Sequence, residues 1–167
     1  GVVAADVTGV GTARYNLAAA SYGGDKGIYG YGNNASANKL SMTNLISNSG
    51  VIATDVSGVG TERRMLAAAR YGGDKAIFGY GIPGSGATAI TNKVNNVGVV
   101  ASDTSGVGTA RSSLAAAAFG GDKAIFGYGE SPAATLGTTN KVSNTGVVAA
   151  DVSGVGTSRY SLTATDF

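Results

Sequence analysis

The chain has 167 residues, of which 28 are glycine, with no cysteine, no histidine, no tryptophan and a formal net charge of +2. Without Cys it holds neither a disulfide nor a thiolate-bound metal, and without His it lacks the commonest general base and metal ligand. So small a charge leaves no footprint for nucleic acid or an anionic membrane surface, and no run of about 18 apolar residues is present to span a bilayer. Neither a nucleic-acid partner nor membrane insertion is expected.

The opening run Gly1–Asp6 (GVVAAD) is a short apolar segment ending in an acid. A Gly-rich turn over Thr8–Thr12 follows, then Arg14, the small apolar run Leu17–Ala20 and Tyr22. Gly23-Gly24-Asp25-Lys26 predicts a hairpin turn, because adjacent glycines accept positive φ without steric cost. Ile28–Tyr31 reads as a short aromatic strand, Asn33–Met42 as a loop, and Thr43–Asn48 leads into a second copy of the same order. Copies open at Gly1, Gly50, Gly98 and Gly146, so a single repeat domain, 1–167, divides into units 1–49, 50–97, 98–145 and a partial unit 146–167. Self-similarity at this period marks a repeat architecture, in which each unit buries its faces only against its neighbours. The chain opens on Gly rather than Met and starts and stops inside a unit, so it is expected to be processed or a piece of a longer chain. Its terminal segments want partners, which points to self-association or a longer parent assembly.

The alanine runs admit two readings. Thr61–Gly73 (TERRMLAAARYGG) has the composition of a short capped helix. Its apolar core is under about 10 residues, short for a helix standing alone, and the fourth copy alternates as Leu162-Thr163-Ala164-Thr165. A strand covered on both faces requires small side chains, so the runs are read as strands. Each unit is then four-stranded: TNKVSN, GVVAAD, RSSLAAAAFGG and KAIFGYG.

An Arg opens the inner strand (Arg14, Arg63, Arg111, Arg159), small residues line it, and after a Gly-rich turn a second strand ends in Gly30-Tyr31-Gly32, Gly79-Tyr80-Gly81 or Gly127-Tyr128-Gly129. This unit resembles a kelch-like β-propeller blade of about 50 residues. It departs from the kelch pattern in lacking a Trp in the last strand and in placing the Gly pair before the second strand. The repeats also resemble modules in tail and fibre proteins of tailed bacteriophages and in bacterial surface proteins. The resemblance implies an all-β fold of tandem four-stranded repeats forming part of a propeller ring, or a ring completed by oligomerisation, since propellers have at least about four blades. The alternative is a β-solenoid or fibre of stacked repeats. The setting it implies is a virion or an extracellular cell surface.

Charge follows the repeat. Asp6, Asp55, Asp103 and Asp151, with Arg14, Arg63, Arg111 and Arg159, return at equivalent positions and are read as architectural. Asp103 and Arg111 form a candidate ladder between units, worth about 0–1 kcal/mol at a surface. Asp55–Thr61 (DVSGVGT) has a faint likeness to a calcium loop but lacks a second acid and a closing Glu, so an Asx-type turn is preferred. Neither the Gly58-Val59-Gly60 triplet nor Gly-Gly-Asp-Lys has the spacing of a phosphate-binding motif. No metal and no cofactor are expected. Tyr31, Tyr80 and Tyr128 are read as packing between units.

Change is concentrated in the linking loops Asn33–Met42, Ile82–Ile90 and Glu130–Thr138, which align and should emerge on one face. Their residues Asn33, Asn34, Ser36, Ser85, Thr88, Glu130 and Ser131 are the candidate contacts to a cell-surface receptor or glycan. The expected function is a non-enzymatic structural and interaction protein; the alternative is a self-assembling extracellular filament subunit with no ligand. A glycan-active enzyme needs paired carboxylates. Glu62, Glu130 and Asp166 are the acids outside the repeat frame, and nothing in the sequence brings two together, so no enzyme and no catalytic residue is expected.

Overall fold

The computed structural model describes Ala5, Asp6 and residues 8–166, so the first copy of the opening run falls largely outside the described residues. Among these residues the fold is all-β, in three similar antiparallel sheets. The first holds β1 (Ala18–Tyr22), β2 (Lys26–Gly30) and β3 (Thr43–Ile46). The second holds β4 (Ala67–Tyr71), β5 (Lys75–Gly79) and β6 (Thr91–Val94). The third holds β7 (Ala115–Phe119), β8 (Lys123–Gly127) and β9 (Thr139–Val142). Each is a meander with the same register: Ala18 faces Gly30, Ala67 faces Gly79 and Ala115 faces Gly127. The two-glycine turns carry the positive φ that a tight hairpin demands, 61° and 84° at Gly23 and Gly24.

The alanine runs are strands because of where they lie. β1 sits beside β4 and β4 beside β7, and β1 also meets β5 as β4 meets β8. The middle run therefore has a neighbouring sheet on either side, and its Ala67 and Ala69 are buried. In the fourth copy, Leu162–Thr165, whose alternation suits a strand, forms none.

The expected four-stranded unit is corrected in one respect. Each sheet has three strands, and the opening run of the next copy adds only two isolated bridges to its margin: Val56 to Thr43 and Ile52 to Ile46 in the first sheet. The second and third sheets repeat this with Thr104 and Val100, then Val152 and Val148. A tight turn, in which Gly50 N–H donates to Ser47 O at 3.0 Å, folds the run straight back on the strand before it. Sheets thus straddle the unit boundaries at Gly50, Gly98 and Gly146. Val51, Val99 and Val147 on this margin stay exposed, so little burial favours extending the ladder.

Sheets are joined by aromatic rings seated on glycine. Phe78 of the second sheet is fully buried, and its Cζ lies 2.7 Å from where a Cβ on Gly30 would stand. Phe126 of the third sheet meets Gly79 at the same 2.7 Å. Both rings approach a tyrosine edge-on, Phe78 against Tyr31 at 5.2 Å between centroids and Phe126 against Tyr80 at 5.1 Å. Each core cluster accordingly spans two sheets, Ile28 and Tyr31 with Phe78 and Val94, then Ile77 and Tyr80 with Phe126 and Val142.

Gly79→Val should therefore overpack the second junction and cost about 1–3 kcal/mol. Gly127→Val, whose new Cβ meets only Thr139 Cγ2 at 3.5 Å, should shift stability by no more than about 0.5 kcal/mol. Urea denaturation of the two variants beside the parent chain measures the contrast.

Candidate functional site

Two groups of side chains compete for a functional role: the variable loops and the repeat-locked charges. The loops leave the frame at one equivalent position, just after each Gly-Tyr-Gly, and are pinned there by backbone bridges. Asn33 pairs with Tyr15, Ile82 with Arg64, and Glu130 with Ser112. Asn33 and Glu130 bridge a second time across their own loops, to Lys39 and Thr135. An open groove of about 250 Å³ separates the second loop from the third, lined by Ser85, Gly86 and Ala87 on one side and Glu130, Ser131 and Pro132 on the other.

Several of the seven candidate contacts close loops. Asn33 is buried, and its Nδ2 donates to Ala37 O at 2.9 Å. Asn34 Oδ1 accepts from the N–H groups of Ser36 and Asn38. Thr88 Oγ1 accepts from Ile90 N–H, and Ser131 Oγ from Ala133 and Ala134 N–H. Ser36 and Ser85 are exposed. Glu130 lines the groove while its Oε1 accepts from Ser113 Oγ at 2.9 Å. The other acids outside the repeat frame lie apart from it: Asp166 accepts from Arg70 Nε and Ala118 N–H, and Glu62 is exposed.

The repeat-locked charges build a lock inside each sheet and across each junction. Arg63 and Arg111 are the largest fully buried side chains. The Arg63 guanidinium lies 4.2 Å over the ring of Tyr31 in the preceding sheet, and Arg111 lies 4.1 Å over Tyr80, cation–π contacts that gain from being desolvated. Within its own sheet Arg63 donates from Nε to Tyr80 O (2.9 Å), from Nη1 to Thr61 O (3.0 Å) and from Nη2 to Asn92 Oδ1 (2.7 Å). Asn92 Nδ2 in turn donates to Asp103 Oδ1 at 2.9 Å, and Asp103 Oδ2 accepts from Thr61 Oγ1 at 2.6 Å. The circuit Arg14, Asn44, Asp55, Thr12 repeats this in the first sheet. In the third, Asn140, Asp151 and Thr109 keep their bonds, while Arg111 Nη2 and Asn140 Oδ1 have no partner.

Asp103 and Arg111 thus form no ladder with each other. Asp103 serves the second sheet, and Arg111 donates its Nε to Tyr128 O in the third. Nor does the aspartate cap its own turn, since Asp55 reaches Thr12 N–H, 43 residues earlier. Asp6 is exposed and makes no side-chain hydrogen bond among the described residues, and Arg159 lies 4.9 Å over Tyr128. Hydrogen bonds from Asn44 and Thr12 hold the Asp55 carboxyl below the usual carboxylate range. At Asp103 burial pushes upward, but bonds from Thr61 and Asn92 outweigh it, and Asp151 behaves alike with Thr109 and Asn140.

Sequence reasoning passed over Asn44, Asn92 and Asn140, which relay between Arg and Asp; their return in every Thr-Asn pair was the available signal. It also passed over a backbone column in which Met65 N–H donates to Asn16 O, Ser113 N–H to Met65 O, and Ser161 N–H to Ser113 O. All four residues have φ of 53–55°.

Carboxylates with lowered folded pKa release protons on folding, so the unfolded chain takes up more protons in acid. Their contribution is complete above the unfolded value near 4 and is lost as pH falls through the folded values. The double variant Asp103→Asn/Asp151→Asn should be about 1–2 kcal/mol less stable than the parent at pH 7, and the gap should narrow in acid. Urea midpoints between pH 7 and roughly 3 test this. Comparison with protein-family models finds no match for the chain, and no curated protein matches it.

Proposed function

We propose that this protein is a non-enzymatic structural and interaction module whose constant repeat frame presents three variable loops to a cell-surface receptor or glycan. The observation that carries the reading is the division of labour between frame and loops. Arg, Tyr, Asn and Asp recur in every sheet and are consumed by packing and hydrogen bonds. The loops Asn33–Met42, Ile82–Ile90 and Glu130–Thr138 differ in length and composition yet leave the frame at the same bridged position. Loops on a rigid scaffold are where binding residues concentrate. The groove between the second and third loops, with Glu130 and exposed Ser85, supplies hydrogen-bonding groups of the kind a polyhydroxylated ligand needs. A tail-fibre or bacterial-surface setting is supported by the sequence resemblance.

We read the array as an arc of propeller blades. Neighbouring sheets meet through their first strands and through β1 with β5 and β4 with β8, and no contact of that extent joins β3 to β6 or β6 to β9. Sheets whose backbones lie closer at one margin than at the other, where side chains such as Leu45 and Val100 fill the space, are wedges, and wedges stacked in series curve. A flat solenoid would keep all three strands equally close.

Replacing Pro83–Ala87 by a Gly-Ser linker of equal length leaves the bridge at Ile82 and the bonds of Thr88 in place. The urea midpoint should stay within that of the parent chain, while binding to a glycan array or to intact bacterial cells should fall or change in preference. If all three loops are replaced and binding is untouched, the reading fails.

A further inference from the structure

Each sheet carries an aromatic knob on the face toward the preceding sheet and a glycine hole on the face toward the following one. The knobs are Tyr29, Phe78 and Phe126, at one register position opposite Ala19, Ala68 and Ala116. The holes are Gly30, Gly79 and Gly127, of which Gly30 is filled by Phe78 and Gly79 by Phe126. Among the described residues one knob and one hole remain. Tyr29 is 36% exposed where Phe78 and Phe126 are fully buried. Among the described residues Gly127 has no ring against it, and an open cavity of about 240 Å³ stands there, lined in part by Ile125, Tyr128, Thr139 and Leu162.

The cations and tyrosines of the lock show the same vacancy. Arg14 completes the hydrogen-bond circuit of its own sheet but lies over no aromatic ring among the described residues, unlike Arg63 and Arg111. Tyr128 is covered by Arg159 at 4.9 Å, wider than the 4.2 and 4.1 Å of the inner junctions. The segment 159–166 lies where the first strand of a following sheet would lie. Gly129 N–H donates to Arg159 O and Ser161 N–H to Ser113 O, as at the inner junctions, and Asp166 anchors the segment to Arg70 and Ala118. Its Tyr160 is exposed, and among the described residues it seats no ring on Gly127.

We infer that the chain associates head to tail, the Tyr29 ring of a second copy seating on Gly127 and its Arg14 lying over Tyr128, with segment 159–166 displaced. The occupant is argued from the chain's own junctions, which are two instances of this interface built from the same residues at the same positions. Tyr29 differs from Phe78 by a hydroxyl that needs a partner when buried, and Thr139 in the cavity wall offers one. Such a contact joins unlike surfaces, so it extends into rings if the rotation closes and into filaments if it does not. The inference rests on the repeat frame and not on loop display, so loop-replaced protein that loses binding should still associate.

Sedimentation velocity over rising protein concentration reads the outcome. The parent chain should grow in mass with concentration. Tyr29→Glu, at an exposed site, and Gly127→Val, at an open one, should each weaken self-association at least about tenfold. Mixed together they should form one-to-one dimers and nothing larger, because Gly127→Val keeps a knob and Tyr29→Glu keeps a hole. Asp166→Ala, which loosens the competing segment, should tighten association of the parent. The inference is overturned if parent and Asp166→Ala chains stay monomeric throughout, if either face variant associates like the parent, or if the mixture associates no better than its components. Far-ultraviolet circular dichroism and urea midpoints equal to the parent's show that the face variants remain folded.

Discussion

A guanidinium buried between two sheets sets the terms for the rest of this molecule. Burying an unpaired charge is costly, and at the fully buried Arg63 all three guanidinium nitrogens find an acceptor. Burial presses its pKa down, and the polar end of Tyr31 and the Asp103 carboxylate act against that. The carboxylate does not touch it directly; Asn92 stands between, accepting from the cation and donating to the anion. Planar geometry matters here, because one group must sit over a ring while donating to Tyr80 O, Thr61 O and Asn92. Lysine, a point charge on a flexible stem, offers no such fork.

The same lock holds the tyrosines in an uncommon backbone state. Tyr31, Tyr80 and Tyr128 have φ of 66°, 65° and 63°, a region that costs a bulky residue about 1 kcal/mol or more. Each is clamped from both ends: an arginine covers the ring, and the hydroxyl donates to Val59, Val107 or Val155 O in the segment leading to the next sheet. The turned backbone aims the ring at that segment, and a sheet cannot shift against its neighbour without unseating Arg, Tyr and the glycine-seated Phe together. Stability is then shared among junctions in the manner of other repeat arrays. The loops, which beyond the bridges at their bases contribute mainly closing bonds, are free to vary.

Much of this was legible from residue types. The period and the Gly-Gly hairpins follow from local chemistry, and the alanine runs are legible as strands because a chain covered by sheets on both faces tolerates only small side chains. The charges were correctly seen as repeating, but their partners were not. Asp103 answers a threonine 42 residues earlier, a distance no local turn rule spans. Asn33 looked like a surface polar residue and is buried, since its amide closes its own loop. The column through Asn16, Met65, Ser113 and Ser161 uses four positions of three residue types, because only a positive φ and backbone groups are required there.

From the sequence alone came the number of copies, their β character and the split between a repeated frame and three divergent loops, all of which reside in composition and spacing. Tertiary structure alone decided that the opening run of one copy borders the sheet of the copy before it, that the arginines turn inward onto tyrosine, and that Tyr29 and Gly127 are left as an unmatched knob and hole among the described residues. Those outcomes depend on which surfaces meet across a junction. A pattern that repeats along the chain writes the same residues into every copy, and only the stacking of sheets determines which of them find a neighbour.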